Sequence, residues 1–437
     1  MNNRILDGFS RGRVQIISGQ RCVTKREAVE KFVDILNVNE FVDSSHIHIF
    51  DLDDLLTRLD FEEDFTSFKV QIETSLETSI ESLTHPVYLI FKQVENATHL
   101  FPYIAKLRMK NPEKLKILLT SSINLEANID YRKYFIEEVD IHRIYPPTLR
   151  DVIQSKRIRL PDSSIIEAIA KGKIDLHYFS ESAEHMKNHS EEIRKIITDF
   201  LLFGGNYLMN RVGQPVRTRL KDYYENILVS VYQLTELKKF DQILRILTLQ
   251  NGNILNLLKM CDTHNINRNT MRKYSGILMD TYMIDYVHPF LKAQVDKPIM
   301  RSPKLYFYDN GLVNYLNGIR TFQILENTHN FQSNLDGMLY LNLKAIIADM
   351  GINEDIKFLR DYQNHELDFL LSTDNGLVPV GICMDSETRK EKIKTFRYYL
   401  RYCQQIYHGI IFDNQDEIEC IDMKKSKLYI LPIWMMW

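Results

Sequence analysis

The chain has 437 residues, 44% of them hydrophobic and 26% charged, with a net charge of −3. That is the make-up of a globular chain of roughly three domains. The slight negative balance excludes a polyanion-binding surface spread over the whole molecule and leaves room only for a local basic patch.

Strand and helix patterns alternate over the first 150 residues, as in an α/β sheet domain. Residues 13–18 read as a buried strand, and Gly19-Gln-Arg-Cys-Val-Thr-Lys-Arg26 leads from it into a helical segment at 27–36. Further strands are expected at 46–50, 86–91, 115–120 and 139–144, with a helix over 68–83. Pro146-Pro147 closes this part of the chain. Apolar residues at helical spacing then dominate residues 160–235, with a break at Gly204-Gly205. Residues 240–249, 255–262 and 268–283 read as three helices running into a strand at 284–288, the layout of a winged helix-turn-helix. A strand and turn at 304–311, a helix at 336–347 and hairpin-like strands at 356–359, 366–371 and 377–383 return the chain to mixed α/β.

Five cysteines, Cys22, Cys261, Cys383, Cys403 and Cys420, form no C-x-x-C pair and are odd in number, which points to a reducing compartment. The start, Met-Asn-Asn-Arg-Ile-Leu, has no signal-peptide core. No run reaches the roughly 18 apolar residues of a membrane span. A cytoplasmic chain with no membrane partner is expected.

The register of the first loop is that of G-x-x-x-x-G-K-[ST], whose backbone amides cradle nucleotide phosphates and whose last hydroxyl holds Mg²⁺. Gly19 and Lys25 are in place, but Thr24 stands for the second glycine and Arg26 for the hydroxyl.

Taken in order, several stretches resemble the bacterial and archaeal AAA-type ATPases that end in a restriction-endonuclease-like domain of unknown function. They are the loop with its strand (Ile16 to Lys25), Tyr88-Leu-Ile-Phe, Ile144-Tyr-Pro-Pro-Thr-Leu149 and Phe203-Gly-Gly205. Leu305-Tyr-Phe-Tyr-Asp-Asn-Gly-Leu312 and His365-Glu-Leu-Asp-Phe369 complete the set. The resemblance implies an α/β fold: a P-loop AAA-type parallel sheet with a helical lid, a winged helix-turn-helix and a C-terminal endonuclease-like α/β domain. The expected boundaries are 1–160, 161–236, 237–300 and 301–437.

The resemblance also implies a strand ending in Asp-Glu, for the Mg²⁺ shell and the attacking water. Here the third strand ends in Lys92 and Gln93, neither of which can play those parts. No catalytic residue is therefore assigned, and hydrolysis is not expected. Gly19, Gln20, Arg21, Thr24, Lys25, Arg26, Lys92, Gln93 and Thr120 remain a degenerate nucleotide site. Two readings stay open for it. Arg26 and Lys92 could join Lys25 and Arg21 to hold ATP or ADP without Mg²⁺, or the loop is spoiled by Thr24 and the pocket stays empty. Thr120-Ser121-Ser122 falls where the family senses the γ-phosphate, though an ordinary Thr-Ser-Ser turn accounts for it equally well. The family's trans-acting arginine falls near Glu137-Glu138, with Arg132 or Arg143 as substitutes.

Nucleases of the C-terminal fold gather metal on a helix carboxylate, a strand aspartate and a (D/E)-x-K strand. Asp336, Glu366 and Asp368 remain, but Gly381 stands at the acidic position and Cys383 at the lysine position. No metal site is expected from that set. His46 and His48 beside Asp51 and Asp53 could share a face, though a polar strand end accounts for them equally well. Phe396-Arg-Tyr-Tyr-Leu-Arg-Tyr402 either stacks on nucleic acid or covers its own sheet. The terminal Trp434-Met-Met-Trp437 is expected to dock into the core or a partner.

The expected activity is accordingly binding: a pseudo-ATPase acting on nucleotide, DNA or protein. DNA would meet Arg268, Arg272 and Lys273 through phosphates and Asn269 through a base edge. The alternatives are an ATP-binding switch cycling slowly as a homo-oligomer, and a protein-interaction scaffold without nucleic acid.

Overall fold

A computed structural model describes residues 2–21, 23–38, 40, 42–61, 64–127, 129–135, 139–209, 215–291, 300–352 and 355–437. The chain forms two compact units. One comprises Met1–Tyr145, Leu220–Thr235 and Ile277–Tyr282; the other comprises Pro146–Arg219, Glu236–Gly276 and Met283–Trp437.

Among the described residues of the first unit, five parallel strands form one sheet. They are β1 (Val14–Gly19), β2 (Ile47–Asp51), β3 (Val87–Lys92), β4 (Leu115–Ser121) and β5 (Val139–Ile144), in the order β2-β3-β4-β1-β5. Successive side chains point to opposite faces. Val14, Ile16, Leu89 and Phe91 pack on Phe68, Ile72, Phe101 and Ile104 from helices Phe65–Leu76 and Phe101–Arg108. Ile17, Tyr88, Ile90 and Leu118 pack on Ile5, Phe9, Phe32 and Leu36 from helices Asn2–Ser10 and Val23–Val38. Covering both faces is why these strands read as unbroken apolar runs. Each fully buried side chain of this size contributes roughly 1.5–3 kcal/mol. The strand order is that of an AAA-like P-loop sheet, with the Gly19–Lys25 loop leaving the carboxyl end of β1.

The helix expected at 68–83 is Phe65–Leu76. The Asp64 side chain accepts the Thr66 and Ser67 amides and starts it early, and Glu77, at φ 52°, ends it in the left-handed region. Such caps lie outside the apolar periodicity that set the expectation.

The second unit holds a separate mixed sheet. Its strands among the described residues are β6 (Ile284–Pro289), β7 (Lys304–Phe307), β8 (Lys357–Arg360), β9 (Glu366–Thr373), β10 (Gly376–Ile382), β11 (His408–Asp413), β12 (Glu419–Met423) and β13 (Ser426–Pro432). Their order is β12-β13-β11-β10-β9-β8-β6-β7. The β8–β9 and β9–β10 pairs are antiparallel, whereas β11 runs parallel to both β10 and β13. A 20-residue helix, Phe331–Met350, replaces the shorter one expected at 336–347. Residues 310–311 open a helix, Asn310–Leu316, instead of a turn, because the Asp309 side chain caps the Gly311 amide at 2.9 Å. That carboxylate also explains Gly204: at φ 75°, a Cβ there would lie 2.0 Å from Asp309 Oδ1. Two stretches that carried the resemblance thus meet as one packing unit.

The three helices of the middle segment are Leu237–Thr248, Leu257–His264 and Arg268–Asp280, with β6 following. The third stops three residues short of expectation, before Tyr282 takes a left-handed φ of 56°. Trp434, Met435, Met436 and Trp437 are fully buried, and Trp437 O accepts the Ile165 amide at 3.1 Å. No helix among the described residues is long and apolar enough to cross a membrane.

Candidate nucleotide-binding loop and carboxylate pocket

The loop in the first unit starts at a glycine for a steric reason. A Cβ on Gly19 would stand 2.0 Å from Ile144 O, on the neighbouring strand β5. Lys25, on the first turn of helix Val23–Val38, is buried. Its ammonium donates to Gly19 O (3.2 Å), Ser122 Oγ (2.5 Å) and Gln93 Oε1 (3.4 Å). Ser122 Oγ donates in turn to Gln93 Oε1 at 2.9 Å, and the Ser122 amide to Glu95 Oε1 at 2.9 Å. Gln93 sits at φ 56° just past β3, its amide N–H given to Thr120 Oγ1 at 3.1 Å. Lysine, amide, hydroxyl and Glu95 therefore form one connected set of hydrogen bonds. Gln20 is buried beside this loop, and Thr24 Oγ1 donates to Tyr145 O at 2.8 Å.

The other cations of the sequence-derived set lie elsewhere. Arg26 is exposed and faces Glu30 one turn along its helix at 3.7 Å. Lys92 faces Asp51 at 3.8 Å. Arg21 is gripped by Asp53 (2.6 Å) and Asp222 (2.8 Å). Burial would lower the Arg21 pKa, but Asp53 and Asp222 hold it above its ordinary value; the Arg21 hydrogen bond conversely depresses Asp53. Exposed pairs such as Arg26–Glu30 contribute roughly 0–1 kcal/mol. Beside Lys25, β3 ends in the neutral Gln93 amide instead of a carboxylate, and the acid of this set, Glu95, accepts the Ser122 amide, so the Mg²⁺ ligands that the motif implies are not those present. Of the arginine candidates, Arg143 pairs with Glu126 at 2.7 Å and Arg132 donates to Glu126 O at 2.6 Å. Glu137 and Glu138 lie outside the described residues, as does Cys22 of the loop.

In the second unit Asp336, Glu366 and Asp368 all lie within electrostatic reach of Lys304. Cys383, where the resemblance implies a lysine, is a buried thiol whose pKa is pushed up to about 12 by burial. Yet the pocket is not without lysine. Lys392, on helix Ser386–Tyr399, reaches Asp368 at 2.5 Å, and Lys304 of β7 binds Glu366. Arg360 adds a second partner to Glu366 at 3.0 Å. Gln332 donates to Asp336 at 2.8 Å, one turn away on the same helix. Burial, with the Asp368 charge behind it, pushes Asp336 up to about 7. A shallow pocket opens here, lined by Glu366, Asp368, Gly381, Lys392 and Phe396 among others. Linear inspection missed Lys392 because it arrives from a helix rather than the strand. Its one signal is the i, i+4 spacing to Phe396, which puts both on the face covering the sheet.

Among the described residues, no group of three or more His, Cys, Asp or Glu side chains could hold a metal. His48 bonds Ser75 and Ser45, and His46 stacks on His85. Of the 396–402 segment, Phe396 and Tyr399 are buried, whereas Tyr398 stacks half-exposed on His365 with ring centroids 3.9 Å apart. Arg268, Asn269, Arg272 and Lys273 are all exposed. Asn267 Oδ1 accepts the Asn269 amide at 2.8 Å and so starts their helix, and Arg268 lies 3.8 Å from Asp262.

Residues 209–323 match the family DUF8612, a domain of unknown function. No curated protein matches the chain. Among solved structures, the chain is similar to the DNA clamp loader delta protein of Bacillus subtilis, at 11% identity and a TM-score of 0.26. That match covers 79% of this chain and 99% of the other. A DNA polymerase III gamma subunit-related protein of Thermotoga maritima matches at 15% identity and a TM-score of 0.25, covering 64% and 95%. A chain of Drosophila ORC bound to AT-rich DNA and Cdc6 matches at 10% identity and a TM-score of 0.21, covering 74% and 93%. At these values the likeness adds nothing to the argument from strand order.

Proposed function

We propose that the chain is an AAA-like P-loop protein in which nucleotide hydrolysis has been lost and which acts by binding. One observation carries this reading: the group facing the Lys25 ammonium from the end of β3 is the neutral Gln93 amide, already shared with Ser122. An amide cannot take a proton from water, and loss of a positioned base costs roughly 10²–10⁴-fold. Loss of the metal supports at Arg26 and Lys92 adds several kcal/mol more. Phosphate release from ATP tests this directly. Turnover with Mg²⁺ should not exceed that of Lys25→Met, and turnover clearly above that variant would refute it.

DNA is the partner that best suits the exposed helix beginning at Arg268. Arg272 and Lys273 would neutralise phosphates and Asn269 would reach a base edge. Support comes from the exposure of all four side chains behind the Asn267 cap. The division into sheet, helical lid, winged helix and C-terminal domain at residues 160, 236 and 300 belongs to this same proposal. Retention on immobilised duplex DNA that falls steeply with salt is the expected result. Indifference to DNA at low salt would leave a protein partner in its place.

A further inference from the structure

The carboxylates Asp336, Glu366 and Asp368 sit where the resemblance implies a divalent metal, and the structure gives that position a different occupant. Three cations of the chain itself pair with two of the three carboxylates, Lys304 and Arg360 with Glu366 and Lys392 with Asp368, while Asp336 takes the Gln332 amide. Lys304, Asp336 and Asp368 are each more than nine-tenths buried. Lys392 is also within electrostatic reach of Asp336, and Lys304 of all three acids. With all three acids ionised the charges cancel, so a bound dication would leave two uncompensated positive charges in a desolvated place, and more while Asp336 holds its proton.

Gly381 completes the arrangement. It stands where the third acidic ligand would be, and a Cβ there would meet Asp368 Oδ2 at 2.6 Å and Lys392 Cδ at 3.6 Å. The bare glycine and the incoming lysine are therefore two halves of one exchange: the side chain that would have faced a metal is gone, and an ammonium reaches Asp368 past the gap.

We propose that Lys392, with Lys304, takes the divalent cation's position, making this a metal-refusing ion-pair cluster that ties β7, β9 and helix Ser386–Tyr399 together. Removing one ammonium should therefore open a two-carboxylate cation site at Asp336 and Asp368, which interact electrostatically. Lys392→Met keeps the buried stem and deletes the charge. Mn²⁺ titration followed by electron paramagnetic resonance reads the result on the full chain, with thermal melting to confirm folding.

The wild type should bind Mn²⁺ at least tenfold more weakly than Lys392→Met, and adding Asp368→Asn to that variant should abolish the gain. Wild-type Mn²⁺ binding that Asp368→Asn removes would overturn the proposal, since the pocket would then be a metal site as it stands. A folded Lys392→Met with no gain would overturn it as well. If Lys392→Met does not fold, Lys392→Arg decides the matter. A folded arginine variant that refuses Mn²⁺ supports an internal cation, and one that binds it overturns the idea. Nucleotide binding by the first unit enters none of these outcomes when Mn²⁺ is titrated alone.

Discussion

Lys25 Nζ lies 2.5 Å from Ser122 Oγ and is itself buried, so this lysine is part of the fold before any ligand arrives. A phosphate at the loop would have to compete with Ser122, Gln93 and Gly19 O for its three protons. It follows that Lys25→Met should destabilise the ligand-free protein. Leaving Ser122 and Gln93 short of a buried partner costs about 2 kcal/mol. Urea unfolding of the first unit measures it, and an unchanged midpoint would mean the lysine is held there only weakly.

Gly19→Ala should be worse. Its Cβ would meet the Ile144 carbonyl at 2.0 Å, a backbone atom held in the β1–β5 pairing, so neither side can yield cheaply. A loss of about 3 kcal/mol is expected. Full stability in that variant would contradict the close approach of the two strands.

His142 provides the pH test. Burial lowers its pKa to about 4 from an ordinary 6.5, and its Nε2 bonds Gln15 Oε1 at 2.8 Å. Between those two values the unfolded chain takes a proton that the folded one refuses. Stability is thus full above pH 6.5 and lost as the pH falls toward 4, by about 3 kcal/mol in total. His142→Gln should flatten that slope in denaturant titrations at pH 4.5 and 7.5, and an identical slope would assign it to other groups.

Strands β1, β3 and β4 were legible because sheets covered on both faces write themselves as apolar runs, and Gly19 and Lys25 kept the loop's register. What could not be read was where cations go. Arg26 ends the loop and Lys92 ends β3, yet each meets a carboxylate on its own surface, Glu30 one helical turn on and Asp51 on the neighbouring strand. Lys392 was invisible for the opposite reason: it reaches Asp368 across 24 residues by the packing of a helix on β9, which no local pattern encodes. Strands β11 to β13 were missed too, with only the short polar turn Lys424-Lys425 between β12 and β13.

Neutralising the exposed pair Arg272 and Lys273 to alanine should weaken DNA binding and reduce the slope of log affinity against log salt by roughly 2. Because both side chains are exposed, melting should not change. A slope equal to the wild type's would remove this helix from the interface.

If the loop has lost its use for Mg²⁺, nucleotide affinity is independent of the metal. Calorimetric titration of ATP into the protein, once with Mg²⁺ and once with EDTA, tests it most directly. Superimposable isotherms are expected, because Arg26 stands at the hydroxyl position and β3 ends in Lys92 and Gln93. Affinity at least tenfold higher with Mg²⁺ would contradict it and restore a working metal site to the loop.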